Sequence, residues 1–337
     1  MRRTLAILAS AAVAASTVAI AAPAQAANTI SGGGASFPYP FLSACLSDFN
    51  ATQNNFDIQY TSTGSGTGKS NFTKGIFTYA QTDSAYTSGQ PSFDWEYIPD
   101  IGGAIAFPIN LTNAKTGRSL GSSIQLKQST LAKLLSGNLT TWRAPEILKD
   151  NPRIAAAIPN VPVTVAYRSG NSGTSNNTLQ YLNAWAPSIW TKVQDDFSTA
   201  FPGGKPPANS VSGKDSASIV ALVNSKPGTI GYVDFSDAKG YPVARIQNAK
   251  GEFVAPSAAS AAKNLANQTN VAANGLVSLN YKLPVAGAYP VAIFSYGLAQ
   301  TDGKGANGLG VRQFFDYVIQ KCGPAKAASL GYVPVSG

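Results

Sequence analysis

Only two cysteines occur in the 337 residues of this chain, and they stand at opposite ends of it, Cys45 near the start and Cys322 near the finish. If they are joined, both ends of the chain share one domain and the middle is inserted into it. Whether they are joined depends on the compartment, and the first residues bear on that. Arg2 and Arg3 precede a run of apolar and small residues from Leu5 to Ala22, which reaches Ala24-Gln25-Ala26, the small-x-small pattern that signal peptidase cleaves. Segment 1–26 therefore reads as a signal peptide removed after Ala26; a transmembrane anchor is the competing reading, disfavoured by Pro23 and the cleavage pattern. No cysteine lies at the cut, so a lipid anchor has no support. Export leads to an oxidising compartment, where a disulfide between Cys45 and Cys322 is the first reading and two buried free thiols the second. A bond closing so long a loop constrains the unfolded chain by about 5 kcal/mol in the chain-entropy model.

Cleavage leaves about 310 residues, enough for two domains of ordinary size. Strand-like and helix-like segments alternate along them. Phe56 to Tyr60, Gly102 to Leu111, Val163 to Tyr167 and Thr229 to Val233 read as strands. Pro38 to Asn50, Ser129 to Leu135, Thr174 to Trp185 and Ser216 to Asn224 read as helices, so the expected class is α/β. A late helix, Gly310 to Cys322, carries Val311, Phe314, Phe315, Val318 and Ile319 as a core stripe. With the cysteines bonded, the crossings between domains fall near Phe107 to Ile109 and near Pro284 to Ala292. That divides the chain into a discontinuous first lobe, 27–108 plus 286–337, and an inserted second lobe, 109–285.

The formal net charge is +9, yet charged residues are only 12% of the chain and the basic ones are scattered singly. No Lys/Arg block marks a nucleic-acid groove; the charge serves solubility, with a mild pull on anions. There is no histidine. Ser-His and Cys-His nucleophiles and His-ligated zinc are excluded together, and no cofactor or metal is expected.

Three Gly/Ser/Thr-rich loops precede helical segments: Gly33-Gly34-Ala35-Ser36-Phe37-Pro38, Thr63-Gly64-Ser65-Gly66-Thr67-Gly68, and Arg168-Ser169-Gly170-Asn171-Ser172-Gly173-Thr174-Ser175. Free N–H groups and the helix dipole at such a turn favour a negative ligand. Any one of them reads equally as a plain turn; three in one chain, one with an arginine, point to an anion. Gly68-Lys69-Ser70 imitates the end of a nucleotide-binding phosphate loop, but that pattern needs glycine at position 63, where Thr63 stands.

In order and spacing these segments resemble the substrate-binding proteins of the bacterial phosphate ABC transporter, over essentially the whole mature chain. Gly34-Ala35-Ser36-Phe37-Pro38, Tyr60 to Gly68, Tyr79-Ala80-Gln81-Thr82-Asp83-Ser84, Ile101 to Ala104, Arg168 to Ser175 and Gly228 to Val233 each match a family segment. The resemblance implies a two-lobed clamp of the periplasmic-binding-protein type II kind, with a two-strand hinge. It implies phosphate donors at Ser36, Phe37, Ser65, Ser172, Gly173 and Thr174, and a charged, bidentate contact from Arg168. It also implies that Asp83 touches the ligand. A carboxylate facing an anion is repelled unless a proton lies between them; hydrogenphosphate carries one and sulfate does not. One departure stands out. The family carries an acid two residues after the arginine, where this chain has Gly170, and Asn171 is the residue that would supply a compensating amide.

The expected function is thus high-affinity binding of inorganic phosphate by a monomeric, non-enzymatic, exported protein, periplasmic or extracellular, that delivers its ligand to a membrane permease and touches no nucleic acid. Two readings compete with it: a secreted phosphatase using a Ser or Thr nucleophile and an acid-bound metal, and an extracellular phosphate scavenger without a transporter.

Overall fold

The computed structural model describes residues 27–53 and 55–335. Segment 1–26, read above as a signal peptide, lies outside them. Chain order gives strands β1 (Asn28–Gly34), β2 (Phe56–Ser62), β3 (Tyr79–Thr82), β4 (Trp95–Ala106), β5 (Gln125–Leu126), β6 (Thr164–Arg168), β7 (Ser210–Gly213), β8 (Thr229–Gly231), β9 (Val233–Asp234), β10 (Arg245–Gln247), β11 (Phe253–Val254), β12 (Ala292–Gln300) and β13 (Val333–Pro334). A seven-stranded sheet runs β13-β4-β12-β3-β1-β2, with β9 paired to β4. Two three-stranded sheets, β7-β6-β8 and β11-β10-β5, form the second lobe.

Each sheet is covered by helices whose apolar spacing the sequence displays. Helix α1 (Tyr39–Thr52) turns Phe41, Leu42, Cys45 and Phe49 inward. Helix α2 (Ser65–Thr73) follows β2, and α3 (Gly173–Trp185) and α4 (Ser216–Ser225) follow β6 and β7 in the second lobe. Asp215 caps α4 in a full capping box with Ser218, which fixes where that helix begins. The late helical stripe is core as expected: in α6 (Gly305–Tyr317) and the π-helical turn after it, Val311, Phe314, Phe315 and Val318 are buried, while Ile319 is half-buried. Cys45 and Cys322 are disulfide-bonded across 277 residues of sequence, so both ends of the chain hold the large sheet.

Two differences from the sequence reading concern the connection between lobes. The strand expected over Gly102 to Leu111 runs instead from Trp95 to Ala106. Beyond it Pro108, which has no N–H to donate, and Ile109 make only single bridges, to Val243 and Ile230, as the chain leaves the large sheet. The second difference is α5 (Ala258–Leu265), which falls inside the stretch read as the inserted lobe. It packs against β4, β12 and β13 of the large sheet, and Asn264 within it donates to the Tyr289 carbonyl at 3.0 Å.

The parallel strands set the position of the site. β1 pairs in parallel with β2 and β3, and β6 with β7 and β8. The three glycine-rich loops and Asp83 all follow the carboxyl ends of these strands, where ligands sit in open α/β sheets.

Candidate functional site

The residues singled out by sequence converge on one buried cleft between the lobes. Phe37, Ser65, Asp83, Arg168, Ser172, Gly173 and Thr174 are all buried, and Ser36 is half-buried. The cleft is closed by direct contacts across it. Ser65 Oγ accepts the Gly173 N–H at 3.2 Å, the Asn171 carbonyl accepts the Gly66 N–H at 3.3 Å, and Asn177 Nδ2 donates to the Asp83 carbonyl at 2.5 Å.

Accounting for donors shows what remains for a ligand. At the N-terminus of α3 the Ser175 N–H goes to Ser172 Oγ and the Asn176 N–H to the Ser172 carbonyl. The Gly173 N–H is already committed to Ser65. The Thr174 N–H has no partner among the described residues, nor do those of Ser36 and Phe37 ahead of α1. The Tyr332 hydroxyl donates to the Phe37 carbonyl at 2.7 Å, which ties the entry of α1 to the C-terminal segment.

Two charged side chains complete the cleft. Arg168 is 2% exposed, its Nε donates to the Lys214 carbonyl at 3.2 Å, and its Nη1 is buried without a partner. With Nε committed, any two-point contact from this arginine uses its Nη groups. Asp83 is 4% exposed; Oδ2 lies 3.4 Å from Ser65 Oγ, and Oδ1 is buried without a partner. Burial, reinforced by the nearby Asp234 carboxylate, raises the Asp83 carboxyl well above its ordinary range, against the pull of the Ser295 hydroxyl and then of Arg168.

Sequence reasoning missed Asp234 and Tyr232. The Tyr232 hydroxyl accepts the Arg168 N–H at 3.0 Å and shares a 2.8 Å bond with Ser175 Oγ, so it ties the arginine's backbone to α3. Asp234 is fully buried, and its carboxylate accepts from Thr174 Oγ1 at 2.9 Å and from Ser216 Oγ at 2.8 Å, joining the first turns of α3 and α4. The signal was present: Asp234 ends the Gly231-Tyr232-Val233 run at a strand's carboxyl end. Gly170, where an acid was missed, takes a left-handed φ of +79°, a conformation costly for a side chain-bearing residue. The Asn171 side chain makes no hydrogen bond to Arg168 among the described residues. The residue is exposed, and it is its backbone carbonyl that reaches across the cleft to Gly66. Four acids lie within range of Arg168, namely Asp83, Asp215, Asp234 and Asp237; burial raises the carboxyls of Asp83, Asp234 and Asp237, whereas at Asp215 burial is outweighed by hydrogen bonds from Ser218, which hold its carboxyl below the ordinary range.

A family model described as the PBP superfamily domain matches residues 19–321. The chain belongs to that family. This PBP superfamily member is 30% identical, over 91% of its length and 81% of the relative's, to the phosphate-binding protein PstS of Xylella fastidiosa. It is 28% identical, over 93% of its length and 90% of the relative's, to the PstS of Haemophilus influenzae. The solved structure of a high-affinity periplasmic phosphate-binding protein bound with phosphate matches this PBP chain with a TM-score of 0.72 at 22% identity, covering 93% of this chain and 91% of that one. The two-lobed α/β architecture is therefore that of the PstS-like PBP proteins. No helix among the described residues is long and apolar enough to cross a membrane.

Proposed function

We propose that this protein binds one hydrogenphosphate ion between its lobes and delivers it to an ABC-type permease, without chemical turnover. One observation carries the reading: two buried atoms of opposite character, Arg168 Nη1 and Asp83 Oδ1, lack partners in the same cleft. Orphaned buried groups of this kind are costly, and a ligand that satisfies both must accept from one and donate to the other. An oxyanion that retains a proton does so. Its oxygens take the Arg168 guanidinium and the N–H groups of Ser36, Phe37 and Thr174, with the hydroxyls of Ser65 and Ser172 beside them, and its P–OH donates to Asp83. Gly173 contributes through closure, by donating to Ser65 across the cleft. A fully deprotonated dianion such as sulfate brings no proton to the pair, so the raised Asp83 carboxyl must keep one of its own or stand unpaired against like charge, and a polar site discriminates between the two ligands on that cost. The names of the relatives supply the same ligand independently.

Export after cleavage at Ala26, a monomeric state, and the lobe division with crossings near Phe107 to Ile109 and near Pro284 to Ala292, to which the pairing of β9 with β4 adds a crossing at Tyr232, are parts of the same proposal. Closure is favoured because contacts to the ligand from both lobes exist only when the lobes meet. Calorimetric titration with phosphate, sulfate and arsenate tests the reading. Phosphate and arsenate, which share the retained proton, are expected to bind, and sulfate far more weakly; tight sulfate binding without phosphate binding contradicts it.

A further inference from the structure

Lys69, the lysine of the sequence that imitates a phosphate loop, has no part in the ligand contacts above. Its Nζ donates to Ser84 Oγ, to the Ala85 carbonyl and to Asp195 Oδ2, each at 2.9 Å. An ammonium has three N–H donors, so none remains for an anion. Ser84 and Ala85 directly follow Asp83 in the first lobe, whereas Asp195 lies in the second. Asp195 is itself built into the anion loop: its Oδ1 accepts from Asn176 Nδ2 at 2.9 Å, and its carbonyl accepts the Ser172 N–H at 3.0 Å. The pair is well covered, with side chains 11% and 15% exposed.

We propose that Lys69 and Asp195 form a latch between the lobes that holds the Ser172 to Thr174 loop against Asp83 and slows release of the bound anion. The proposal rests on the phosphate-clamp reading. The contact exists only while the lobes meet, because its two ends belong to different lobes. Separating the lobes breaks a charge-assisted bond that salt screens little at this depth, so its loss accelerates opening. Ligand entering an open cleft meets no latch, and association is not slowed. Lys69 and Asp195 are positioning residues, since neither touches the ligand.

The decisive variant is D195N, which keeps an acceptor for Asn176 and leaves Lys69 its bonds to Ser84 and Ala85. Stopped-flow release of phosphate is expected to quicken by about tenfold in D195N, with association not lowered. The K69M/D195N double variant is expected to release phosphate no faster than K69M alone, because the two side chains act as one unit. Release within about twofold of wild type, multiplying effects of the two substitutions, or slower association overturns the latch. The interlobe distance in phosphate-free protein, read by energy transfer between dyes on the two lobes, separates the two readings. If the wild type binds no phosphate, the clamp reading fails and the latch is judged by this distance alone: a shift of D195N toward open lobes supports it, and an unchanged distribution overturns it.

Discussion

At the scale of single residues, the cleft concentrates buried acids that an ordinary protein avoids. Beneath Asp83 lies Asp100, fully buried on β4, which accepts from Gln81 Nε2 and whose Oδ1 has no partner. Burial pushes its carboxyl up to about 8, against the hydrogen bond from Gln81. A carboxyl raised in the folded state keeps a proton that the unfolded chain has lost, so it penalises folding as pH rises from the ordinary carboxylate range toward 8. Asp100→Asn removes that titration. In phosphate-free protein the substitution is expected to leave stability near pH 4 little changed and to raise it by about 5 kcal/mol at pH 8, read by denaturant unfolding at both pH values. The identity of Asp83 was legible in the sequence through its Thr82-Asp83-Ser84 segment, but the role of Asp100 was not. An acid that follows Asp94 and Glu96 in one segment gives no sign of which buried neighbours it will meet.

At the scale of elements, the anion loop shows what spacing reveals and what it hides. The strand-loop-helix order β6, Arg168 to Ser172, α3 was visible from composition and period, and so was the first turn of α1; Ser65 to Gly68, read as loop, is instead the first turn of α2. What spacing hid is that the loop meets the other lobe at almost no distance. A Cβ placed on Gly173 would stand 2.5 Å from Ser65 Oγ and 2.6 Å from the Asp83 Cβ, both across the cleft. Gly173→Ala suits a helix start and leaves each lobe intact, yet it props the lobes apart. Phosphate affinity is expected to fall by about 100-fold or more while the melting temperature without ligand stays within a few degrees, checked by titration and calorimetric melting. Gly170 differs: nothing lies within 4 Å of its would-be side chain, so only its left-handed backbone explains the glycine. The sequence showed a missing acid there; the backbone angle, and the acids distant in sequence that gather near Arg168, are products of tertiary structure.

At the scale of the whole molecule, the two cysteines carried the most information for the fewest residues. Their bond ties α1 to the π-helical turn after α6 and so holds both chain ends on the large sheet, as their spacing suggested. The disulfide lies in the core away from the cleft loops. Cys45→Ala with Cys322→Ala is therefore expected to lower stability by about 2–5 kcal/mol in denaturant unfolding while phosphate affinity stays within about twofold. The α/β class was legible because alternating strands and helices admit few packings, whereas the two-lobed clamp was implied by the resemblance of the loop segments to a known family. The return of α5 to the large sheet was not, because a surface-like Ala/Ser/Asn composition carries no address for the sheet it covers. The central claim is that the clamp recognises the proton of its ligand through Asp83. Its most direct test is the ratio of phosphate to sulfate affinity in wild type and in Asp83→Asn, measured by calorimetry at neutral pH. The account predicts a strong phosphate preference in wild type that narrows by about tenfold or more in the variant, whose amide can donate to sulfate. An unchanged ratio contradicts it.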